Sequence, residues 1–243
     1  MKRCCRSSAW NKGLGDEHAL NKKAGELMKL QLALDRLTRA QCGEIVAEVR
    51  DLIDILEIGT GVIKQYGVGI IADVKQSYPD LPILADMKTC DAGKHETVQA
   101  LSAGASLTTV MAFSDERTIA DSLEAARRSG GQVMIDLLGV HEEQAIIRLY
   151  ELGARLFSVH VGKDMQGSRD AERRAAETAA LLHRLADAGF AYAGGVSADS
   201  IETVAAYRPD IVIVGSAITG ADSYRAAAQT IRKKMIEAYE SFA

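Results

Sequence analysis

Aromatic side chains are scarce in this chain of 243 residues: 5% are Phe, Trp or Tyr, against 47% hydrophobic overall. Such an interior is aliphatic, filled by Ala, Val, Ile and Leu, and this argues against a β-sandwich. A surplus of positive charge is missing too. Lys and Arg number 29 and Asp and Glu 33, a net charge of −4, with a pI near 5.8. No broad field therefore draws the chain to nucleic acid or to an anionic membrane, and neither is an expected partner, although a local basic phosphate pocket stays compatible. Apolar runs are all far shorter than the roughly 20 residues that cross a bilayer, and the basic N-terminus lacks the continuous apolar stretch of a signal peptide. Cysteines are few: Cys4, Cys5, Cys42 and Cys90 show no metal-ligand spacing, and the adjacent first pair suits no disulfide framework. A soluble protein of the reducing cytoplasm is expected. A nucleophilic Cys90 would need a histidine base, for which His95 is the local candidate, and the thiol is read as a bystander.

Residues 1–27 are polar, carry the single Trp10 and precede Met28, and are read as an extension peripheral to the fold. From Met28 onward, short aliphatic runs alternate with longer Ala/Glu/Lys/Arg-rich stretches, the pattern of repeated βα units around a parallel sheet. Eight runs read as strands: Leu30 to Leu34, Ile53 to Ile58, Pro82 to Ala85, Leu107 to Met111, Gln132 to Leu137, Leu156 to His160, Phe190 to Ala193 and Ile211 to Val214. Helices are expected between them, including Thr118 to Arg128 and Ala171 to Ala188, with Gly104, Gly130, Gly153 and Gly189 as stops. The expected fold is α/β, a single-domain (β/α)8 TIM barrel over 28–243, whose usual size is roughly 250 residues. A doubly wound open sheet is the alternative and normally uses fewer strands. Polar residues favour the barrel, since Asp35, Glu57, Asp86, Lys88, Asp136, His160, Gly194, Gly195 and Gly215 all fall at or just past C-terminal strand ends. In a barrel these ends converge on one face.

The segment Leu84-Ala85-Asp86-Met87-Lys88-Thr89-Cys90-Asp91 sets two carboxylates around a lysine where an apolar run ends. Strand alternation puts Asp86 and Lys88 on one face, with Asp91 beyond in the loop or first helical turn. An ammonium between carboxylates keeps its proton and stabilises an oxyanion or enediolate formed beside it; a surface ion pair is the bland alternative. Glu57 ends the second run as Asp86 ends the third, so their carboxylates are candidates for a hard cation such as Mg²⁺. A strand-end acid paired with a lysine is the plainer reading of Glu57. His160 ends the sixth run and is a candidate proton carrier, or else a hydrogen-bonded structural histidine. His18, His95, His141 and His183 read as solvated. Gly194-Gly195 and Gly215-Ser216 follow the last two runs and expose backbone N–H groups, the usual barrel phosphate site, where one double glycine alone would mark a tight turn.

Leu32-Ala33-Leu34-Asp35, Glu57-Ile58-Gly59-Thr60, Ala85 through Gly93, Ala193-Gly194-Gly195 and Ile213 through Thr219 together resemble the orotidine 5′-phosphate decarboxylase superfamily and, within it, the 3-hexulose-6-phosphate synthases. The likeness runs from about Met28 to near the C-terminus. Orotidine decarboxylases carry a lysine where Glu57 stands, so the resemblance is to the Mg²⁺-dependent sugar-phosphate branch. Its other members, the 3-keto-L-gulonate-6-phosphate decarboxylases, typically carry Glu, Arg, Thr and Arg where this chain has Asp136, Lys163, Ala193 and Ser216. Asp136 and Ala193 side with the synthases, Ser216 lacks the decarboxylase arginine, and Val161 replaces a synthase threonine. The resemblance implies a reversible aldol addition of formaldehyde to D-ribulose 5-phosphate through an enediolate. It also implies Mg²⁺ on Glu57 and Asp86, with Lys88 stabilising the enediolate and His160 as base. Asp35 and Asp91 would orient Lys88 and bind substrate hydroxyls, Asp91 from the neighbouring subunit of a homodimer with shared active sites. Asp136, Gly194, Gly195, Gly215 and Ser216 are the implied substrate-binding residues. A decarboxylase and a non-catalytic sugar-phosphate-binding barrel are the alternatives.

Overall fold

The computed structural model describes residues 28–162, 165 and 167–242; the extension over 1–27, with His18, and the branch marker Lys163 lie outside them. In chain order the elements are β1 (Lys29–Leu34), α1 (Arg39–Val49), β2 (Ile55–Ile58), α2 (Thr60–Tyr66), α3 (Gly69–Ser77), β3 (Ile83–Thr89), α4 (Gly93–Ser102), β4 (Leu107–Met111) and α5 (Glu116–Ser129). They continue with β5 (Gln132–Asp136), α6 (Glu143–Glu151), β6 (Leu156–His160), α7 (Arg169–Leu182), β7 (Gly189–Ala193), α8 (Ile201–Ala206), β8 (Ile211–Val214), α9 (Ser216–Thr219) and α10 (Tyr224–Phe242). All neighbouring strands pair in parallel, and β8 returns to β1 to close the sheet. This is the (β/α)8 barrel; the open sheet is excluded by the β1–β8 ladder.

Period-2 alternation divides the strands between two cores. Leu30, Leu32, Leu34, Leu56, Ile58, Val133, Ile135, Phe157, Val159, Phe190, Val212 and Val214 belong to the layer packed against the helices. Ile55, Leu84, Leu107, Met134, Leu156, Ala191, Ala193, Ile211 and Ile213 form a second cluster, the barrel interior. Each fully buried aliphatic side chain of these layers contributes on the order of 1.5–3 kcal/mol. Two residues after the inner apolar layer the same face turns polar: Ile55 gives way to Glu57, Leu84 to Asp86, Leu107 to Thr109, Met134 to Asp136, and Leu156 to Ser158 and then His160. An apolar floor thus carries a polar upper layer at the strand C-termini.

The N-terminal face is tied off by ion pairs. Asp54 accepts the Leu30 N–H (2.8 Å) and pairs with Arg232 of α10 (2.7 Å), while Arg225 pairs with Asp51 (2.6 Å). The second strand begins at Ile55 rather than Ile53, the starts of β1 and β3 and the end of β5 shift by one residue, and three further expectations need correction. Helix α7 stops at Leu182 rather than Ala188, because the chain turns through Asp187 at φ 58° before β7. Gly189 is consequently the first residue of β7 and not a helix stop, whereas Gly104, Gly130 and Gly153 do take the positive φ of helix ends. The third concerns β3, which continues past Ala85 to Thr89 through an irregular register with β4.

Candidate active site

Lys88 stands at the centre of the upper layer. Its Nζ donates to Asp136 Oδ2 (2.6 Å) and Asp86 Oδ1 (3.2 Å). The pair of carboxylates around the ammonium is therefore Asp86 and Asp136, from β3 and β5; among the described residues neither Asp35 nor Asp91 is bonded to it. Burial opposes the charge on Lys88, but Asp86 and Asp136 more than offset it and hold the pKa above the usual lysine value. Asp136 also bonds His160 Nδ1 through both oxygens (3.1 and 3.0 Å) and accepts the Leu138 N–H (2.9 Å). Burial raises its pKa, yet the His160 hydrogen bond and the Lys88 charge prevail and bring it down to about 2. With a side chain only 2% exposed and both oxygens engaged, Asp136 orients Lys88 and His160.

Glu57 and Asp86 are buried in the same layer. Glu57 Oε2 accepts from Gln31 Nε2 (2.6 Å). Burial and then the charge of Asp86 push the Glu57 pKa up to about 8, with Gln31 and Lys88 acting the other way. Asp86 is braced on both oxygens: Thr109 Oγ1 donates to Oδ1 (2.8 Å), and Thr60 Oγ1 lies 2.7 Å from Oδ2. Three buried carboxylates, Glu57, Asp86 and Asp136, thus surround one lysine, a set deficient in positive charge. Among the described residues no third His, Cys, Asp or Glu joins Glu57 and Asp86 in a metal-sized cluster.

Asp35 follows β1, where Oδ1 accepts the Gly61 N–H (3.0 Å) and Oδ2 lies 3.4 Å from Arg36 Nε. Asp91 is exposed and accepts the Ala92 N–H (2.7 Å). It lines a surface cavity of about 690 Å³ with Lys94, His95, Asp115 and Arg117, between the starts of α4 and α5. His95, His141 and His183 are exposed, and Cys90 is an exposed thiol. Gly194 and Gly195 follow β7 with positive φ, and Gly215 leads directly into Ser216 of α9. A Cβ on Gly194 would lie 2.0 Å from the Val161 carbonyl oxygen, so the first glycine loop packs against the backbone after His160.

Sequence reasoning missed Gln31, Thr60 and Thr109. The period-2 rule points to two of them: Gln31 lies two residues before Ala33 on the inner face of β1, and Thr109 two residues after Leu107. As uncharged side chains they gave no signal without their partners.

The sequence profile of the orotidine 5′-phosphate decarboxylase / HUMPS family matches residues 28–231. The 3-hexulose-6-phosphate synthase of Bacillus subtilis is 33% identical over 211 residues, 86% of this chain and 100% of the relative. The crystal structure of 3-hexulose-6-phosphate synthase from Salmonella typhimurium superposes with a TM-score of 0.81 at 36% identity, covering 87% of this chain and 100% of that one. A 3-keto-L-gulonate-6-phosphate decarboxylase from Vibrio cholerae shares the fold, with a TM-score of 0.77 at 22% identity over 87% of this chain and 99% of that one.

Proposed function

The chain belongs to the orotidine 5′-phosphate decarboxylase / HUMPS family, and from that premise we propose that it is a 3-hexulose-6-phosphate synthase. In this reading it joins formaldehyde to D-ribulose 5-phosphate and reversibly gives D-arabino-hex-3-ulose 6-phosphate. The observation that carries the reading is Asp136, which holds Lys88 and His160 together at the barrel mouth; the names borne by relatives at 33% and 36% identity support it.

With Nδ1 committed to Asp136, His160 has Nε2 for proton transfer. Nε2 takes a proton from C1 of ribulose 5-phosphate, and the Lys88 ammonium faces the negative charge of the enediolate. C1 then attacks the formaldehyde carbon, the C–O π pair moves to oxygen, and the new alkoxide recovers the proton from His160. Asp136 stays ionised throughout, since its pKa of about 2 lies far below neutrality. The glycine loops after β7 and β8 take the phosphate, whose remote binding energy positions the reacting carbon.

Glu57 and Asp86 fit a divalent cation, because burial and the charge of Asp86 raise the Glu57 pKa and a cation between the two would relieve that. Bound there, Mg²⁺ would supply Lewis-acid polarisation of the substrate oxygens. Asp91, turned to an outer cavity that the exposed Val98 also lines, suits a role in a neighbouring subunit, and a homodimer with shared sites is part of the proposal. The free thiols of Cys42 and Cys90 suit a reducing cytoplasm.

The test measures formaldehyde consumption with ribulose 5-phosphate and Mg²⁺ alongside CO₂ release from 3-keto-L-gulonate 6-phosphate. Faster formaldehyde consumption, abolished by EDTA and restored by Mg²⁺, is expected. Faster CO₂ release would make the enzyme the decarboxylase, full activity after EDTA would remove the metal site, and saturable binding without turnover would leave a ligand-holding barrel.

A further inference from the structure

The ladder between β3 and β4 pairs Ala85 with Thr108 and next pairs Thr89 with Val110. Three residues of β3, Asp86, Met87 and Lys88, therefore stand opposite the single Thr109. A bulge of this kind bends its strand, re-aims its side chains and leaves backbone groups without a ladder partner. Side chains of β4 serve those groups. Thr108 Oγ1 donates to the Ala85 carbonyl (3.2 Å), and the Lys88 N–H donates to Thr109 Oγ1 (2.9 Å). Lys88 here adopts φ 48°, a left-handed conformation that lysine rarely enters. Thr109 meanwhile donates its own hydroxyl hydrogen to Asp86 Oδ1 (2.8 Å). One hydroxyl, on a residue only 3% exposed, thus holds both the backbone turn that aims the ammonium and the carboxylate that pairs with it.

We propose that Thr109 is the positioning residue of this active site, its hydroxyl fixing Lys88 and Asp86 in one arrangement across the β3 bulge. The reaction it serves is the aldol addition proposed above, and in that respect the inference rests on that reading. A barrel strand needs no hydroxyl at this position for packing, since valine has the same shape. The hydroxyl is required because it accepts from one strand residue and donates to another two positions away.

Thr109→Val, Thr109→Ser and Thr109→Cys test this. Valine keeps the volume, removes both hydrogen bonds and leaves the Lys88 N–H without its partner. Its expected kcat is about tenfold or more below wild type, with the KM for ribulose 5-phosphate within roughly threefold, because the loss falls on the enediolate more than on the bound sugar. Serine retains the hydroxyl and is expected within about threefold of wild-type kcat. Cysteine, a weak donor and acceptor of similar size, is expected to fall between and serves as the second variant if valine folds poorly. Calorimetric titration with Mn²⁺ gives a readout apart from turnover, and binding about fivefold weaker in the valine variant but not in serine is expected as Asp86 loses its brace. Wild-type kcat and Mn²⁺ affinity in Thr109→Val would overturn the proposal. So would a serine variant as impaired as valine, since the methyl group would then be what matters. Wild-type turnover in the same assay judges the aldolase reading by itself; were it absent, the Mn²⁺ comparison would still decide the role of Thr109.

Discussion

Glu57 is the residue at which stability and chemistry pull apart. Its pKa, ordinarily 4.5, is pushed up to about 8 by burial and by Asp86. Below pH 4.5 folded and unfolded chains both hold the proton, and the group contributes nothing to pH dependence. As pH rises from about 4.5 to about 8 the unfolded chain releases the proton while the folded one keeps it, so unfolding is favoured progressively and the loss levels off above the folded pKa. A metal-free protein should therefore melt at lower temperature at pH 8 than at pH 5. Part of this decline belongs to Glu57 and should vanish in Glu57→Gln, whose amide needs no proton. At pH 8 and without metal, Glu57→Gln is expected to melt higher than wild type by on the order of 5 °C, while losing most activity. Differential scanning calorimetry at both pH values with EDTA checks this, and equal pH slopes in the two proteins would contradict the burial of a shared charge. Asp136 has the opposite sign: its pKa of about 2 contributes stability above the ordinary carboxylate value, lost only as pH falls through about 2. Its effect lies outside the window of the Glu57 experiment.

At the level of elements, strand ends were readable and strand pairing was not. The apolar runs foretold β4, β6 and β8 to the residue, because an inward Ile or Leu followed by a polar residue marks where a barrel strand meets solvent. The irregularity of β3 was invisible because a bulge is a property of two strands: only the register with β4 shows that Asp86, Met87 and Lys88 share one partner. The same limit explains why Asp91 looked like the second carboxylate of Lys88. Proximity along the chain suggested it, whereas the actual partner, Asp136, comes from β5, 48 residues away. The double glycine after β7 reads in the sequence as a candidate loop, while its contact with the segment after β6 does not show there. A Cβ on Gly194 would meet the Val161 carbonyl at 2.0 Å, and φ there is 106°. Gly194→Ala must therefore shift either loop, next to His160. It is expected to lower the melting temperature and raise the KM for ribulose 5-phosphate about tenfold or more, whereas unchanged kinetics would separate this loop from the substrate.

The barrel as a whole brings Lys88, Asp136 and His160 together from three strands of one chain, yet it leaves Asp91 facing an outer cavity beside Lys94, Asp115 and Arg117. If two copies meet across this region with twofold symmetry, each supplies Asp91 to the other's Lys88 site, as isologous interfaces require. Complementation follows from that geometry. Lys88→Ala alone should lose well over tenfold in kcat, because the ammonium matters most when the enediolate forms, and Asp91→Ala alone should be similarly impaired. In a mixed dimer of the two variants one site combines both lesions, while the other pairs a native Lys88 with a native Asp91. Random reassociation of equal amounts makes half of the dimers mixed, so about one quarter of all sites become intact. Unfolding the two proteins together, refolding them and measuring formaldehyde consumption should therefore recover about a quarter of wild-type activity, where separately refolded samples recover almost none. A mixture no more active than its parts would show that Asp91 serves its own chain or none. In that case the cavity between α4 and α5 would lose its connection to catalysis, and the barrel would be complete as a single subunit.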